Sequence, residues 1–375
     1  MKKLRVMVLY GGRSGEHEVS LRSAASVIRN LDQTKFEIVP VAINPEGKWQ
    51  LHSLNQMFSD SPSLPILKEA PLVILPPYPG RGEREGLIQL DAQQKAIPID
   101  VVFPVMHGTF SEDGALQGFL ELADLPYVGC GVLASSVGMD KEFSKRLAKE
   151  AGVPIVPYVS TRKETWTEQR SHLYKRIESE LGYPVFVKPV NSGSSVGIHK
   201  VKRPEDLEDA LQDAFKYDVK VIIERALSVR EIEFSVLENL VPGRPPRISI
   251  PGEITPTHEF YSYEAKYLDE KGAVLRIPAP LDEATLKAAT KMASDVFQML
   301  GCESMARVDL FLDKNTNELY FNEVNTLPGF TSISMYPKLW EQSGLPYPEL
   351  LSQLIELAMA RHQRKSQLLR AYAGI

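Results

Sequence analysis

The chain runs Met305-Ala306-Arg307-Val308-Asp309-Leu310-Phe311-Leu312 and, after the polar turn 313–317, Glu318-Leu319-Tyr320-Phe321-Asn322-Glu323-Val324. Both runs are typical of strands, and the polar residues between them predict a β-hairpin. If the turn centres near Thr316, Asp309 lies opposite Glu323. This pairing matters because side chains alternate between the two faces of a strand.

One face of the predicted hairpin is polar. It carries Arg307, Asp309 and Phe311 on one strand, and Phe321, Glu323 and Asn325 on the other. Two opposed carboxylates repel each other unless a cation lies between them. A small set of oxygen ligands suits Mg²⁺, which keeps some waters and shares phosphate oxygens. The hairpin therefore predicts a magnesium site, with a solvated strand face as the alternative.

The composition excludes several classes of protein. The 375 residues suffice for two or three domains, and their formal net charge is −5. An acidic total argues against a nucleic-acid partner and against docking on anionic lipid. Cys130 and Cys302 lack metal-binding or disulfide spacing, and no stretch approaches the length of a membrane span. We therefore expect a cytoplasmic protein with no nucleic acid and no membrane as partner.

Strand and helix signals divide the chain into three units. In the first, strands at 6–10, 36–43, 97–105 and 127–128 alternate with helices, which predicts a parallel sheet with helices on its faces. The second begins at Asp140, placed to cap a helix over 141–151. The third has strands at 231–237 and 248–254, then an irregular stretch, 255–277, that is typical of a lid.

A Ser/Gly loop, residues 191–197, interrupts the second unit. Its small residues let backbone N–H groups approach an anion, and Lys188 on the preceding strand is placed to hold a phosphate. Walker A and GxGxxG motifs are absent from the sequence, and a plain hairpin turn is the alternative. The next predicted strand ends at Glu224 and is followed by Glu231, and a strand end with free backbone groups and nearby acids is suited to read an adenine edge and ribose hydroxyls. Spacing alone favours a surface charge for Glu224.

The N-terminal unit carries its own polar groups at strand ends. Gly11-Gly12 opens a helix whose first turn contains Glu16, and acids there are often only partners of the helix dipole. His107 follows the strand that ends at 105, where ligands of α/β proteins bind, although a lone histidine is more often structural.

Taken in order, these stretches resemble the ATP-grasp superfamily, and most closely the D-alanine–D-alanine ligase family. The matching motifs are Gly11-Gly12-Arg13-Ser14-Gly15-Glu16-His17-Glu18-Val19-Ser20, His107-Gly108 with Glu112-Asp113-Gly114, Met139-Asp140-Lys141, Val187-Lys188-Pro189 with Gly193-Ser194-Ser195-Val196-Gly197, Tyr263-Glu264-Ala265-Lys266-Tyr267, Arg307-Val308-Asp309, and Asn322-Glu323-Val324-Asn325-Thr326-Leu327-Pro328-Gly329-Phe330-Thr331. The resemblance implies a three-domain ATP-grasp fold. Its parts are an α/β substrate domain with a parallel sheet (1–139), two α+β units that clasp ATP (140–226 and 227–365) and a tail (366–375).

The resemblance also implies the ligands of ATP and metal. The ATP-binding residues would be Lys141, Phe186, Lys188, Ser194, Ser195, Glu224, Ala226, Leu227, Glu231, Lys266, Phe311 and Asn322. Glu231 would hold the ribose and Lys266 the γ-phosphate. Two Mg²⁺ ions, replaceable by Mn²⁺, would be held by Asp309, Glu323 and Asn325, in agreement with the hairpin geometry.

The same resemblance implies two D-alanine substrates. The catalytic set would be Glu16, Ser194, Tyr267, Arg307 and Gly329, and the substrate-binding set Glu16, His107 and Ser334. Glu16 would hold the ammonium of the first D-alanine, and Ser334 the carboxylate of the second. Arg307 and the Gly329 amide would stabilise an oxyanion.

The implied activity is ATP-dependent formation of D-alanyl-D-alanine through an acyl phosphate, for peptidoglycan precursors, by a homodimer. A ligase that forms D-alanine–D-lactate or D-alanine–D-serine is the nearest alternative. Tyr267 resembles the residue of dipeptide-forming members and favours an amine acceptor. A catalytically inactive nucleotide-binding protein and a periplasmic-type binding protein are more distant alternatives.

Overall fold

The computed structural model describes residues 2–57, 63–66, 69–79, 86–91, 93–256 and 273–369. The described strands are β1 Leu4–Gly11, β2 Phe36–Ile43, β3 Trp49–Leu51, β4 Val73–Ile74, β5 Leu87–Gln89, β6 Ala96–Ile97, β7 Val101–Val105, β8 Tyr158–Arg162, β9 Val185–Pro189, β10 His199–Val201, β11 Lys220–Arg225, β12 Val229–Leu237, β13 Arg247–Ile248, β14 Gly252–Pro256, β15 Ala273–Arg276, β16 Met305–Asp313 and β17 Leu319–Asn325. The α-helices are α1 His17–Asn30, α2 Leu54–Met57, α3 Ala115–Leu122, α4 Val132–Met139, α5 Lys141–Glu150, α6 Lys163–Arg176, α7 Leu207–Ala214, α8 Glu283–Met299, α9 Met335–Gln342 and α10 Tyr347–Ser366.

The first sheet has the order β3-β2-β1-β7, and β1 pairs in parallel with both β2 and β7. This confirms the predicted parallel sheet. The predicted strand at 127–128 is wrong, because Tyr127 forms a single bridge to Val102. The Tyr127 carbonyl instead accepts a hydrogen bond from the buried Arg361 side chain. A separate small sheet, β4-β5-β6, lies in the excursion that follows β3.

Two antiparallel sheets follow, with orders β10-β9-β11-β8 and β15-β14-β12-β16-β17. The predicted strand over 248–254 is in fact two short strands, β13 and β14, which both pair with β12. The irregular stretch predicted from 255 to 277 is also too long, because 255–256 belong to β14 and 273–276 form β15. Residues 257–272, between them, lie outside the described residues.

Helix α5 links the first unit to the second. Asp140 accepts hydrogen bonds from the backbone N–H groups of Glu142 and Phe143, so the predicted N-cap is confirmed. One residue separates α5 from α4, and three residues separate β11 from β12. The predicted boundaries near 139 and 226 fall at these two short links, and the division into domains remains a prediction.

The C-terminal helix α10 packs against the N-terminal sheet rather than standing alone. Leu350, Leu354 and Ala358 share a buried cluster with residues of β1, α1 and β7. Its basic end is tied down by ion pairs, including Lys365 with Glu121 at 2.6 Å. The first and third units therefore share a core. No helix in the described part of the chain has the length and apolar character needed to cross a membrane.

Candidate active site

The hairpin β16–β17 places Asp309 directly opposite Glu323, and Arg307 opposite Asn325. This register confirms the predicted pairing of the two carboxylates. Strand β12 adds a third acid on the other side, because Glu233 pairs with Asp309 in the adjacent ladder. Three acidic side chains therefore form a row across three neighbouring strands.

A β-bulge interrupts the hairpin next to this row. The register passes from Asp309 opposite Glu323 to Leu310 opposite Phe321, so Asn322 is the extra residue. The prediction that Phe321 shares the polar face with Glu323 is therefore wrong. Phe321 is fully buried in the core with Leu310, and the bulge reverses the alternation between them.

Arg307 is held by two acids of the row. Its guanidinium donates to both carboxylate oxygens of Asp309, at 2.8 and 2.7 Å, and its Nε lies 3.1 Å from Oε2 of Glu233. The side-chain amide of Asn325 donates to Asp309 Oδ2 at 3.0 Å. Bidentate pairing fixes the orientation of the guanidinium plane. Sequence reasoning missed Glu233; its position two residues after Glu231 on one strand was the available signal.

Helix α5 presents two lysines to this region. Lys141 and Lys145 are four residues apart and so share one helix face. The Lys141 ammonium lies 3.2 Å from Glu323 Oε2 and donates to the Ser192 carbonyl at 2.8 Å. Lys141 thus joins the Ser/Gly loop to the acidic row.

Glu224 is buried, with 2% of its surface exposed, so the surface charge favoured by spacing alone is wrong. Its carboxylate pairs with Lys145 at 2.8 Å and with Lys188 at 2.5 Å. Burial opposes ionisation, but the two ammonium groups outweigh it and lower the pKa of Glu224 to about 2. Lys145 was not predicted, although its spacing from Lys141 places both on one face.

The Lys188 ammonium lies near two aromatic rings, 5.7 Å from the centroid of Phe186 and 5.9 Å from that of Phe311. Burial tends to lower the pKa of Lys188, but the Glu224 carboxylate outweighs it and the pKa is raised. Phe186 lies on β9 and Phe311 on β16, so the rings come from different sheets. Both rings are thus within reach of the same cation at the junction of the second and third units.

The Ser/Gly loop reaches the N-terminal unit. The Ser194 hydroxyl donates a short hydrogen bond to the carboxylate of Glu16, the residue immediately before α1. Ser194 and Ser195 have φ angles of 52° and 60°, which non-glycine residues seldom adopt. A side chain at Gly108 would come within 2.5 Å of Glu16 Oε2, so glycine there leaves room for this carboxylate.

His107 is buried beside Glu16. Its Nδ1 lies 3.1 Å from the Leu327 carbonyl and its Nε2 lies 3.1 Å from the Ser23 hydroxyl. Burial works against protonation, but Glu112 outweighs it and raises the pKa of His107. Both ring nitrogens therefore have protein partners, and the histidine anchors the start of the segment that follows β17.

The segment that follows β17 carries two more of the predicted residues, Gly329 and Ser334. The Ser334 hydroxyl accepts from the Thr331 amide at 2.9 Å and lies 2.8 Å from the Thr331 hydroxyl. A side chain at Gly329 would lie 2.8 Å from Ser334 Oγ, so the two residues are in close proximity. Ser334 also precedes the first residue of α9.

The other predicted ATP-binding residues divide into two groups. Glu231, opposite Phe311, and the half-buried Ala226, Leu227, Ser195 and Asn322 lie on or beside the elements already described. Lys266 and Tyr267 lie outside the described residues, so their predicted roles stay predictions.

The donor set fits Mg²⁺ bound jointly with phosphate. Asp309 and Glu323 are opposed across the hairpin, and the Asn325 amide oxygen belongs to the same face. Within the described ranges, no group of three or more His, Cys, Asp or Glu side chains forms a site of its own for a metal. Two carboxylates and one amide leave coordination positions for water and phosphate oxygens, as Mg²⁺ requires.

Comparisons with known proteins cover nearly the whole chain. Residues 5–130 match the family model for the D-ala D-ala ligase N-terminus, and residues 147–356 match that for the D-ala D-ala ligase C-terminus. The chain is 55% identical to D-alanine–D-alanine ligase A of Bradyrhizobium diazoefficiens, covering 99% of each chain. It is 47% identical to the D-alanine–D-alanine ligase of Caldicellulosiruptor bescii, covering 98% of each.

Solved structures show the same similarity. The D-alanine–D-alanine ligase from Coxiella burnetii has a TM-score of 0.80 and 37% identity, with 99% of this chain and 98% of that chain covered. The VanG D-Ala:D-Ser ligase from Enterococcus faecalis has a TM-score of 0.80 and 34% identity, covering 95% of this chain and 100% of that one.

Proposed function

Because this chain belongs to the D-alanine–D-alanine ligase family and joins two D-alanines at the expense of ATP, we propose that the reaction passes through an acyl phosphate. We place this reaction at the junction of the second and third units, next to the N-terminal unit. The observation that carries the proposal is that the Ser/Gly loop contacts Glu16 through Ser194 and is joined through Lys141 to Glu323, which lies opposite Asp309. This arrangement joins an amino-acid site to a phosphate and metal site. The product is a precursor of peptidoglycan.

ATP would lie between the two antiparallel sheets. Phe186 and Phe311 would flank the adenine, with Lys188 and Glu224 at its edge and Ala226, Leu227 and Asn322 around it. Glu231 would hold the ribose hydroxyls. Lys141, the backbone of Ser194 and Ser195, and Lys266 would contact the phosphates. The two rings from different sheets support this arrangement, because a flat aromatic base packs well against aromatic side chains, and Lys188 near both rings would meet its polar edge.

Asp309, Glu323 and Asn325 would hold two Mg²⁺ ions, or Mn²⁺ in their place. When bound there, the metal neutralises charge on the transferring phosphoryl group. Lys141 would act on the same charge, because its ammonium lies 3.2 Å from the proposed metal ligand Glu323.

The substrates would meet between the N-terminal unit and the hairpin. Glu16 would hold the ammonium of the first D-alanine, with Ser194 and Tyr267 completing the hydrogen-bonded set. The carboxylate of that D-alanine attacks the γ-phosphorus of ATP, the bond from that phosphorus to the bridging oxygen breaks, and ADP leaves. The acyl phosphate that forms is needed because a free carboxylate is a poor acyl donor. His107 would help to place the substrates from its buried position beside Glu16.

The second D-alanine would bind with its carboxylate on Ser334. Its amine attacks the acyl carbon, the carbonyl oxygen takes the negative charge, and phosphate leaves as the peptide bond forms. Arg307 and the Gly329 amide would stabilise that oxyanion. Water must be kept from the acyl phosphate, and the segment that carries Lys266 and Tyr267 would close over it.

D-Alanine is favoured over D-lactate and D-serine at the second position. The relatives at 55% and 47% identity are D-alanine–D-alanine ligases, whereas the D-Ala:D-Ser ligase is 34% identical. The family also supports a homodimer formed through the N-terminal domain, and an ATP-dependent enzyme fits the cytoplasm. Neither nucleic acid nor membrane has a part in this mechanism.

The test is phosphate release by the purified protein with ATP, Mg²⁺ and either D-alanine or L-alanine, with the dipeptide measured by chromatography. We expect release to depend on D-alanine and to match dipeptide formed one for one. Equal release with L-alanine, or release without dipeptide, would overturn the proposal.

A further inference from the structure

Lys145 is a buried cation for which the mechanism above has no use. Its side chain is 1% exposed, so its ammonium has no access to bulk solvent. Burying a charge is costly unless it is paired and hydrogen-bonded. Its surroundings therefore indicate what the charge is for.

The ammonium has three donors and three acceptors within reach. Glu224 Oε1 lies at 2.8 Å, and the carbonyl oxygens of Asn322 and Phe321 lie at 3.1 and 3.4 Å. The carboxylate belongs to the second unit, and the two carbonyls belong to the hairpin of the third. Lys145 thus joins the two sheets that face each other across the proposed ATP site.

Both carbonyls belong to the β-bulge. Asn322 is its extra residue, and Glu323 follows directly, opposite Asp309. A bulge can aim a side chain that regular pairing would place elsewhere. A second contact also holds the backbone of the bulge, because the Phe321 amide donates a hydrogen bond to the Pro154 carbonyl at 2.8 Å.

We propose that Lys145 is a positioning residue that holds the bulge so that Glu323 and Asp309 face one metal ion. Lys145 also occupies one oxygen of Glu224 and leaves the other to Lys188. This inference rests on the proposed metal site and deepens it. Removing a group that orients a metal ligand commonly weakens metal affinity by about 10- to 100-fold.

The test measures metal binding directly. Lys145→Met and wild type are titrated with Mn²⁺ in the presence of a non-hydrolysable ATP analogue, and the free ion is followed by electron paramagnetic resonance. We expect the Mn²⁺ dissociation constant to rise about 10- to 100-fold in the variant. Lys149→Met, on the exposed side of α5, is the matched control and should bind Mn²⁺ as wild type does.

A folded Lys145→Met variant with wild-type Mn²⁺ affinity would overturn the inference. If Lys145→Met does not fold, Lys145→Arg keeps a charge against Glu224 but changes the donor geometry at the two carbonyls. Weaker Mn²⁺ binding by folded Lys145→Arg supports the inference, and unchanged binding overturns it. Wild-type protein that binds no Mn²⁺ with the analogue would instead contradict the proposed metal site itself.

Discussion

The Ser194 hydroxyl donates a hydrogen bond to the Glu16 carboxylate across 178 residues of sequence. One partner lies in the Ser/Gly loop of the second unit and the other at the start of α1 in the first. The loop of the second unit is therefore in contact with the first unit. A ligase that must exclude water from an acyl phosphate needs such closure of its loops.

Loss of this hydrogen bond should weaken use of the first D-alanine. For Ser194→Ala we expect kcat/KM for D-alanine to fall about 10- to 100-fold, because a hydrogen bond to a charged group contributes about 1.5–3 kcal/mol. The measurement is the initial rate of phosphate release against D-alanine at saturating ATP. Ser192→Ala, in the same loop, is the control. An unchanged kcat/KM in Ser194→Ala would show that the contact has no catalytic value.

Tyr267 should govern the choice between amine and hydroxyl acceptors. For Tyr267→Phe we expect a larger share of D-alanyl-D-lactate, because the variant lacks the hydroxyl that we propose to complete the set with Ser194 and Glu16. Phosphate release and products are compared for D-alanine alone and for D-alanine with D-lactate, at several pH values. A product ratio equal to that of wild type removes Tyr267 from the account of specificity.

The ion pair that ties α10 to α3 should make stability depend on pH. Burial tends to raise the pKa of Glu121, but hydrogen bonds from Lys365 and Tyr127 outweigh it and lower the pKa. A carboxyl whose pKa is lower in the folded state stabilises the fold above its unfolded pKa, near 4.5. That contribution is lost as the pH falls through the folded value.

For Glu121→Gln we therefore expect a lower thermal midpoint at pH 7 and a smaller drop in midpoint between pH 7 and pH 4. The effect should be modest, because the pair is partly exposed and screened by solvent. Thermal scans of the variant, wild type and the exposed-site control Glu356→Gln make the comparison. If Glu121→Gln loses as much stability on acidification as wild type does, the ion pair has no such role.

The fold was predictable where the periodicity of the sequence was strong. Strand β2 was predicted from its run of apolar residues. The pairing of Asp309 with Glu323 was predicted from the alternation of side chains along the two strands and from the assumed centre of the turn between them. The position of Phe321 did not follow, because a bulge adds a residue that no hydrophobic pattern announces. Strand β15 was missed because a short strand beside a long polar stretch has too few residues to show a period.

The sequence and its resemblance nominate site residues, but they do not show which of these residues contact one another. The resemblance named Lys188 and Glu224, whereas spacing alone would have left Glu224 on the surface. Lys145 and Glu233 were missed, because each acts through partners that are distant in sequence. A contact such as that between Lys145 and the Asn322 carbonyl depends on how two sheets pack, and a single sequence does not display that.

The most direct measurement of the account's central claim compares D-alanine-dependent phosphate release by wild type and Glu323→Gln, with Glu318→Gln from the exposed turn of the same hairpin as control. The amide keeps the shape of Glu323 but removes the charge that would oppose Asp309 across the proposed metal. We predict that Glu323→Gln loses at least about 100-fold in turnover, since metal stabilisation contributes several kcal/mol, while its thermal midpoint stays close to that of wild type. Glu318→Gln should retain wild-type turnover. Near-normal turnover in Glu323→Gln would contradict the assignment of Asp309 and Glu323 as the metal site.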